Sequence, residues 1–464
     1  MNYAKIILSP LALLAFVVFS SLPTSLDAEL CVNCPMENNQ ANSPLDIIAP
    51  DDILTFSTSE FLSIDDLGTP VVSGGGIHPV TITNNAPLQF PIGETTVVWT
   101  ATSGGKKATD TQIVGIASAP SNTDPANKIV LLEFADGWKN IFELGKPIFD
   151  KYGIKTTQFI ICGDVGANSP YMTQEMLLTL QSEGHDIQSH TMTHPHLSDL
   201  PPQELVYELG GSKDCLEEMG INDVKVFSFP FDDGWDVLEV VNEVSQHYEF
   251  ARSQTGDLFY LHCNYPESSQ NDCGTFDSLG NLNEFHRWSI PTFNHNNLES
   301  SNSDDLQTLQ DFIGIVNGAT LNTPVTINQI PIINYHKINF NNSLEFGSPS
   351  FSTSTILLDA ELNYLKENDF TVITFSDLQF DQVNNRFFVP QVICDIPISG
   401  DWIVGQSCHV LTNVIAPSSV LIQNNSVVTI NSQGSLMIPS GENITIVNGS
   451  GLRIVQGAYL NVLS

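Results

Sequence analysis

Apolar and polar positions divide the chain into three stretches of different period. From about residue 45 to 119, short β-rich runs alternate with Gly, Pro and Asn turns, and helical periodicity is almost absent. Thr95–Thr100 (TTVVWT), after the turn Pro91-Ile92-Gly93, predicts a half-buried strand. Ala119–Asn127 predicts a linker. From about 128 to 385 the pattern switches between apolar runs and amphipathic stretches. Ile129–Phe134, Thr157–Cys162, Lys225–Phe229 and Pro331–Tyr335 predict strands; Ile141–Lys151, Thr173–Glu183, Pro202–Met219 and Leu357–Asn368 predict helices. Strands alternating with helices imply parallel βαβ units, in an open sheet or a barrel. Gly256–Glu284 breaks the alternation and predicts a long loop pinned by a disulfide. From about 394 onward, Gly434, Gly441, Gly451 and Gly457 punctuate short apolar alternations, which predicts stacked short strands, a small β-solenoid or a hairpin array.

The first residues change the compartment. Lys5, an apolar run from Ile6 to Phe19, and small or polar residues to Ala28 form the pattern of a signal peptide over 1–28, followed by a linker over 29–44. A retained N-terminal anchor is the alternative. Eight cysteines suit an oxidising compartment. Cys263 with Cys273 and Cys394 with Cys408 predict local disulfides, Cys31 and Cys34 a lone CxxC, and Cys162 and Cys215 either a pair or buried thiols. Asn341, Asn424, Asn443 and Asn448 begin N-x-S/T sequons.

Charge then excludes partners. Lys+Arg 16 against Asp+Glu 52 leaves a formal net charge of −36, which argues against nucleic acid and anionic membrane. The acidic excess itself is a solvated surface, and it shows no calcium-loop spacing.

Chemistry concentrates in the middle stretch. Glu133-Phe134-Ala135-Asp136-Gly137-Trp138 ends one predicted strand, and Gly184 to His194 (GHDIQSHTMTH) follows another turn. His190 and His194, four residues apart and followed by Pro195, would sit on a loop rather than a continued helix. Together with Asp136 they could form a three-ligand site with an open position, as catalytic zinc is held.

IVLLEFADGW, EGHDIQSHTMTH, FSFPFDDG and IPIINYHKI resemble, in order, the motifs of the polysaccharide deacetylases, the NodB-homology or carbohydrate esterase family 4 group. The stretch from Phe90 to Ile116 resembles the HYR module, an immunoglobulin-like sandwich of about 70 residues. The resemblances imply a multidomain chain: an HYR-like β-sandwich over 45–119, a distorted (β/α) barrel over 120–390 and a repetitive β-segment over 391–464. They imply hydrolysis of acetyl groups on a polysaccharide or glycan, a divalent metal (zinc or cobalt), and Asp136, His190 and His194 as its ligands. His336 matches the general acid, and Phe231 the residue whose backbone N–H faces the oxyanion. Trp138 and Arg287 are candidate substrate contacts.

The departures are as informative as the matches. The family has two consecutive aspartates where this chain has Ala135-Asp136, and the first is the general base. Ser228 stands where many members have arginine, and Gln188 where a small residue is common. Glu133 lies two residues before Ala135, so strand alternation puts both on one face, and it is the candidate substitute base. Asp232 and Asp233 are further candidates. The competing reading of Glu133 is a counter-ion for a basic residue. The sequence is compatible with four functions: a deacetylase of a secreted or cell-surface glycan, a catalytically impaired glycan-binding homologue, an adhesion or surface-layer protein dominated by its flanks, and an amidase for a non-sugar substrate. Sequence leaves the oligomeric state open.

Overall fold

The computed structural model describes residues 43–463 apart from 122–127, 167–169, 264–272, 277–278, 284–285, 296–304, 323–326, 341–350, 391–393, 406–407, 411, 424–425, 431–433, 448–449 and 455–457. The expected signal peptide, the Cys31/Cys34 pair, most of the linkers and Asn341, Asn424 and Asn448 lie outside the described residues.

The chain is multidomain, with a nearly closed parallel barrel at its centre. Its strands are β1 (Ile129–Phe134), β2 (Thr157–Ile160), β3 (Asp186–Ser189), β4 (Val226–Ser228), β5 (Phe250–Ser253), β6 (Ile290–Pro291), β7 (Phe293–Asn294), β8 (Ile332–Tyr335) and β9 (Thr371–Ile373). All neighbours run parallel, in the order β6-β5-β4-β3-β2-β1-β8-β7. β6 and β7 are separated only by Thr292, so one extended segment pairs with β5 at its start and β8 at its end and draws the two edges together. The distortion sits at β1. One edge of β1 is shared: β9 pairs with Ile129–Leu131, and β2 takes over at Glu133 and Phe134.

Alternation fixes what each strand faces. Val130, Leu132 and Phe134 pack outward with α1 (Lys146–Tyr152), α5 (Asp305–Val316) and α6 (Thr355–Glu367). Ile129 and Leu131 point inward, onto Phe159, Val226, Phe250 and Ile332. A second outer layer holds α2 (Gln174–Ser182), α3 (Pro202–Glu218) and α4 (Leu238–His247), whose apolar residues meet Ile160, Ile187 and Phe227. The expected helix over Ile141–Lys151 forms in two pieces: a π-turn at Ile141–Gly145 continues into α1. A π-turn admits the extra residue that lets Gly145 press against the Phe149 ring.

The N-terminal residues form a four-stranded sheet (Ile53–Ser57, Lys106–Ser118, Gly93–Ser103 and Thr81–Asn84) and two antiparallel strand pairs around Phe90, Val97, Trp99, Val114 and Ile116. The expected Thr95–Thr100 strand lies within Gly93–Ser103, buried at every second residue. This unit docks on the barrel: Phe56 meets Tyr364 edge-on with ring centroids 4.9 Å apart, and Leu54, Ala117 and Ala119 join the core around α5 and α6.

Among the described residues after 400, nine short strands pair in three parallel three-stranded sheets, each strand with the third strand after it. Val427 pairs with Gly451 and Ser435 with Tyr459. Val420, Ile422, Val428, Ile430, Leu436 and Ile438 form the shared core. Three disulfides are present among the described residues: Cys263–Cys273 and Cys394–Cys408 as expected from spacing, and Cys162–Cys215, which resolves the open choice in favour of a pair. None of the described helices is long and apolar enough to cross a membrane.

Candidate metal centre

The candidate residues gather where the parallel strands end. Asp136 follows β1, His190 and His194 follow β3, Phe231 follows β4 and His336 follows β8. Active sites of such barrels lie at this end because the loops there converge from every strand. The loops are bent sharply: Asp136, Thr191, His194, Phe231 and Asp232 all have left-handed φ, between 55° and 75°. Non-glycine residues in that region cost roughly 1 kcal/mol or more each, so the surroundings must hold them.

His190 Nε2 and His194 Nε2 each stand 3.4 Å from Asp136 Oδ1 and 3.2 Å from one another. Zinc bonds of about 2.0–2.1 Å place neighbouring ligand atoms of a tetrahedral set roughly 3.3 Å apart. The three donors therefore fit one divalent ion with a position left open. Ring orientation agrees. His190 Nδ1 donates to the Ser228 carbonyl at 2.8 Å, which leaves the Nε2 lone pair of the neutral ring facing the cluster. Burial pushes His190 down to about 4, against the pull of Asp136. Burial also opposes the charge of Asp136, but the facing His190 and His194 rings win and hold it well below the usual carboxylate range.

A second acidic group, Asp150, Glu183 and His185, is already neutralised. Lys146 Nζ lies 2.6 Å from Asp150 and 2.8 Å from Glu183, while His185 Nδ1 accepts from the Thr156 amide.

His336 borders the cluster and makes an edge contact with Phe351 at 5.6 Å. Burial lowers it to about 4, partly offset by the charge of Asp136. Phe231 stacks on His196 at 4.3 Å and meets His194 edge-on at 4.5 Å, forming an exposed aromatic rim.

The remaining sequence candidates have other surroundings. Ala135 is fully buried and its amide donates to the Tyr335 carbonyl at 2.9 Å. Glu133 is fully buried, with Oε1 3.0 Å from Arg252 Nε, a charge pair rather than an aligned hydrogen bond. Arg252 is the register partner of Ser228 on the neighbouring strand, so its guanidinium enters the barrel beside the serine, and Nη2 reaches Asn334 Oδ1 at 3.4 Å. Burial raises Glu133 to about 7, against the pull of Arg252.

Trp138 sits at the cluster but is engaged within the protein. Its Nε1 donates to Asp136 Oδ2 at 2.8 Å, Tyr171 stacks on it at 4.6 Å, and Lys337 Nζ lies 3.9 Å from its ring centre. The faces a sugar ring would need are covered. Arg287 precedes β6, packs on Trp288 and Phe380 and donates to the Glu249 carbonyl before β5. It therefore lies at the N-terminal end of the barrel, opposite the cluster of Asp136, His190 and His194. Gln188 joins β3 to β4, its Oε1 accepting from the Lys225 and Val226 amides at 2.9 and 2.8 Å. Asp232 Oδ1 accepts from the Gln254 amide, and Asp233 accepts from Ser198.

Sequence reasoning missed Arg252 and Glu208. Both carry a legible signal, a charge on an apolar face: Arg252 shares its strand face with Phe250, and Glu208 falls among Leu205, Leu209 and Leu216 on the buried side of α3.

Residues 122–249 match the family model described as polysaccharide deacetylase. Over this segment the chain is similar to polysaccharide deacetylases. The chain is similar to a putative polysaccharide deacetylase, YxkH, of Bacillus subtilis (strain 168), 32% identical over 106 residues, covering 23% of this chain and 38% of the relative. It is also similar to a chitooligosaccharide deacetylase of Azorhizobium caulinodans, 36% identical over 67 residues, covering 14% of this chain and 31% of that protein. The chain thus spans well under half the length of either curated relative. Among solved structures, the Streptococcus pyogenes deacetylase PplD in complex with acetate is 24% identical, covering 28% of this chain and 57% of that one, at a TM-score of 0.27. Peptidoglycan deacetylase PdaC from Bacillus subtilis is 14% identical, covering 55% and 91%, at 0.34.

Proposed function

We propose that the deacetylase domain is a metal-dependent hydrolase that removes acetyl groups from an N-acetylated surface polysaccharide or glycan. The observation that carries this reading is the convergence of Asp136, His190 and His194 at tetrahedral ligand spacing, beside His336. A bound zinc or cobalt ion supplies polarisation of the acetyl carbonyl and an acidified water. Asp136, His190 and His194 hold the ion. Phe231, in its left-handed turn, directs a backbone N–H toward the oxyanion.

Proton transfer falls to His336. Ala135 has no acceptor, whereas His336 is neutral at pH 7 and can take a proton from the attacking water and return it to the leaving nitrogen. Glu133, the candidate substitute base, is read as the counter-ion of Arg252, because releasing it would strand a buried guanidinium. Sugar contact is assigned to the Phe231–His196 rim, since Trp138 and Arg287 are engaged elsewhere. Ala135 favours a second reading, a weakened homologue that binds glycans through the same cleft.

The flanks complete the proposal. The N-terminal sheets are read as an HYR-like, immunoglobulin-type sandwich, and the C-terminal strands as a β-solenoid with Asn443 exposed for glycosylation. Residues 1–28 are read as a signal peptide, placing the protein outside the cell or at its surface layer; three disulfides are compatible with that place.

Acetate release from N-acetylglucosamine oligomers by the zinc-loaded chain tests the enzyme reading. Turnover that disappears in His190→Ala and falls roughly 10²–10⁴-fold in His336→Ala is expected. Undiminished turnover in His190→Ala would exclude the metal centre as its source.

A further inference from the structure

The loop between the two histidine ligands is gripped from both sides. Its outward amides, Met192 and Thr193, donate to Glu208 Oε2 at 3.0 and 2.8 Å, and Thr193 Oγ1 donates to Oε1 at 2.6 Å. On the other side, the Thr191 and Met192 carbonyls accept from the Cys162 and Gly163 amides at 3.1 and 2.9 Å. The approach there is so close that a Cβ on Gly163 would stand 2.5 Å from the Met192 oxygen. The two grips are joined covalently. Cys162 follows β2, and its disulfide partner Cys215 lies two turns beyond Glu208 on α3.

We propose that Glu208, Gly163 and the Cys162–Cys215 disulfide form a clamp that sets the shape of the His190–His194 loop and, through it, the affinity for the metal ion. The clamp rests on the metal reading above. Thr191 and His194 have φ of 68° and 62°, a backbone the loop would relax if released. Relaxation moves His194 Nε2 out of its position beside Asp136, because the internal tie from the His194 amide to Thr191 Oγ1, at 2.9 Å, holds the turn but not its placement. Glu208 is 5% exposed and receives three donors with its two oxygens. Glutamine at 208 keeps the shape and can hold both amides with its one oxygen, but its N–H₂ then meets the Thr193 hydroxyl and the charge that strengthens all three hydrogen bonds is lost. Partners that orient metal ligands from behind typically account for about 10–100-fold in affinity.

The test is zinc affinity of the full chain, by competition with a chromophoric chelator, together with the visible spectrum of the cobalt form. Glu208→Gln should bind zinc roughly 10–100-fold more weakly and show an altered cobalt spectrum while its circular dichroism is unchanged. The pair Cys162→Ser, Cys215→Ser should move in the same direction. Should that pair fail to fold, Glu208→Gln carries the test alone. Asn317→Ala, which removes a buried-side hydrogen bond to Tyr364 far from the loop, should lower stability without changing affinity. A folded Glu208→Gln protein with unaltered zinc affinity overturns the clamp. Failure of the unaltered chain to bind zinc overturns the metal reading instead, and is recognisable because it precedes any substitution.

Discussion

Ala135 and Glu133 decide how the site is read. Side-chain alternation placed both on one face of an extended strand, and that much was legible in the sequence. The counter-ion was not, because Arg252 lies far along the chain and only the register of β4 against β5 brings it beside Ser228. A carboxylate inside an apolar strand announces a partner or a task without saying which. The geometry assigns the partner, and a stability measurement can check it. Glu133→Gln leaves Arg252 uncompensated in a dry interior and should destabilise the chain by about 3 kcal/mol, measured as a shift of the urea midpoint above pH 7, where Glu133 is ionised. Glu133→Gln combined with Arg252→Met should recover a large part of that loss. A near-neutral single variant would show that the pair is not what holds Glu133.

Length alone did not decide which elements were legible: α4 and α5, ten and twelve residues long, escape the periodicity reading, whereas α2, at nine, does not. β1, α2, α3 and α6 fall within a residue or two of the segments read from periodicity. β6 and β7, two residues each, carry no periodic signal at all, yet they close the barrel. The docking of the N-terminal sheets was equally hidden, since it rests on the outer-face residues Leu54 and Phe56 with Ala117 and Ala119. Phe56 lies on a strand whose inner residues face their own sheet, while its ring reaches Tyr364 on α6. Phe56→Ala should therefore lower the thermal stability of the barrel itself, by on the order of 2 kcal/mol. The check is calorimetry. A barrel transition unmoved by Phe56→Ala would make the two units independent.

Across the whole molecule, buried imidazoles tie stability to pH. Burial lowers His185 to about 3 and His190, His286 and His336 to about 4, below the ordinary 6.5 of the unfolded chain. Between those values the unfolded state binds more protons than the native one, so stability is full above pH 6.5 and declines as pH falls toward about 4. Glu133 works in the opposite sense: its raised value makes the native state hold a proton that the unfolded chain has released above about 4.5, so its contribution declines as pH rises toward 7. Burial also raises Asp186 and Asp232, so three carboxyls oppose the four imidazoles; the imidazoles outnumber them, and the urea midpoint should drop on acidification from pH 6.5 to pH 4. A flat profile over that window would mean these rings are not buried in solution.

The most direct measurement is acetate release by the full, zinc-loaded chain beside its Ala135→Asp variant. Turnover by the unaltered chain, raised severalfold or more in Ala135→Asp and absent in His190→Ala, is the predicted result. Release by Ala135→Asp alone, with none from the unaltered chain, would contradict the account, because His336 would then be unable to carry both proton transfers and the native cleft would bind glycan without cleaving it.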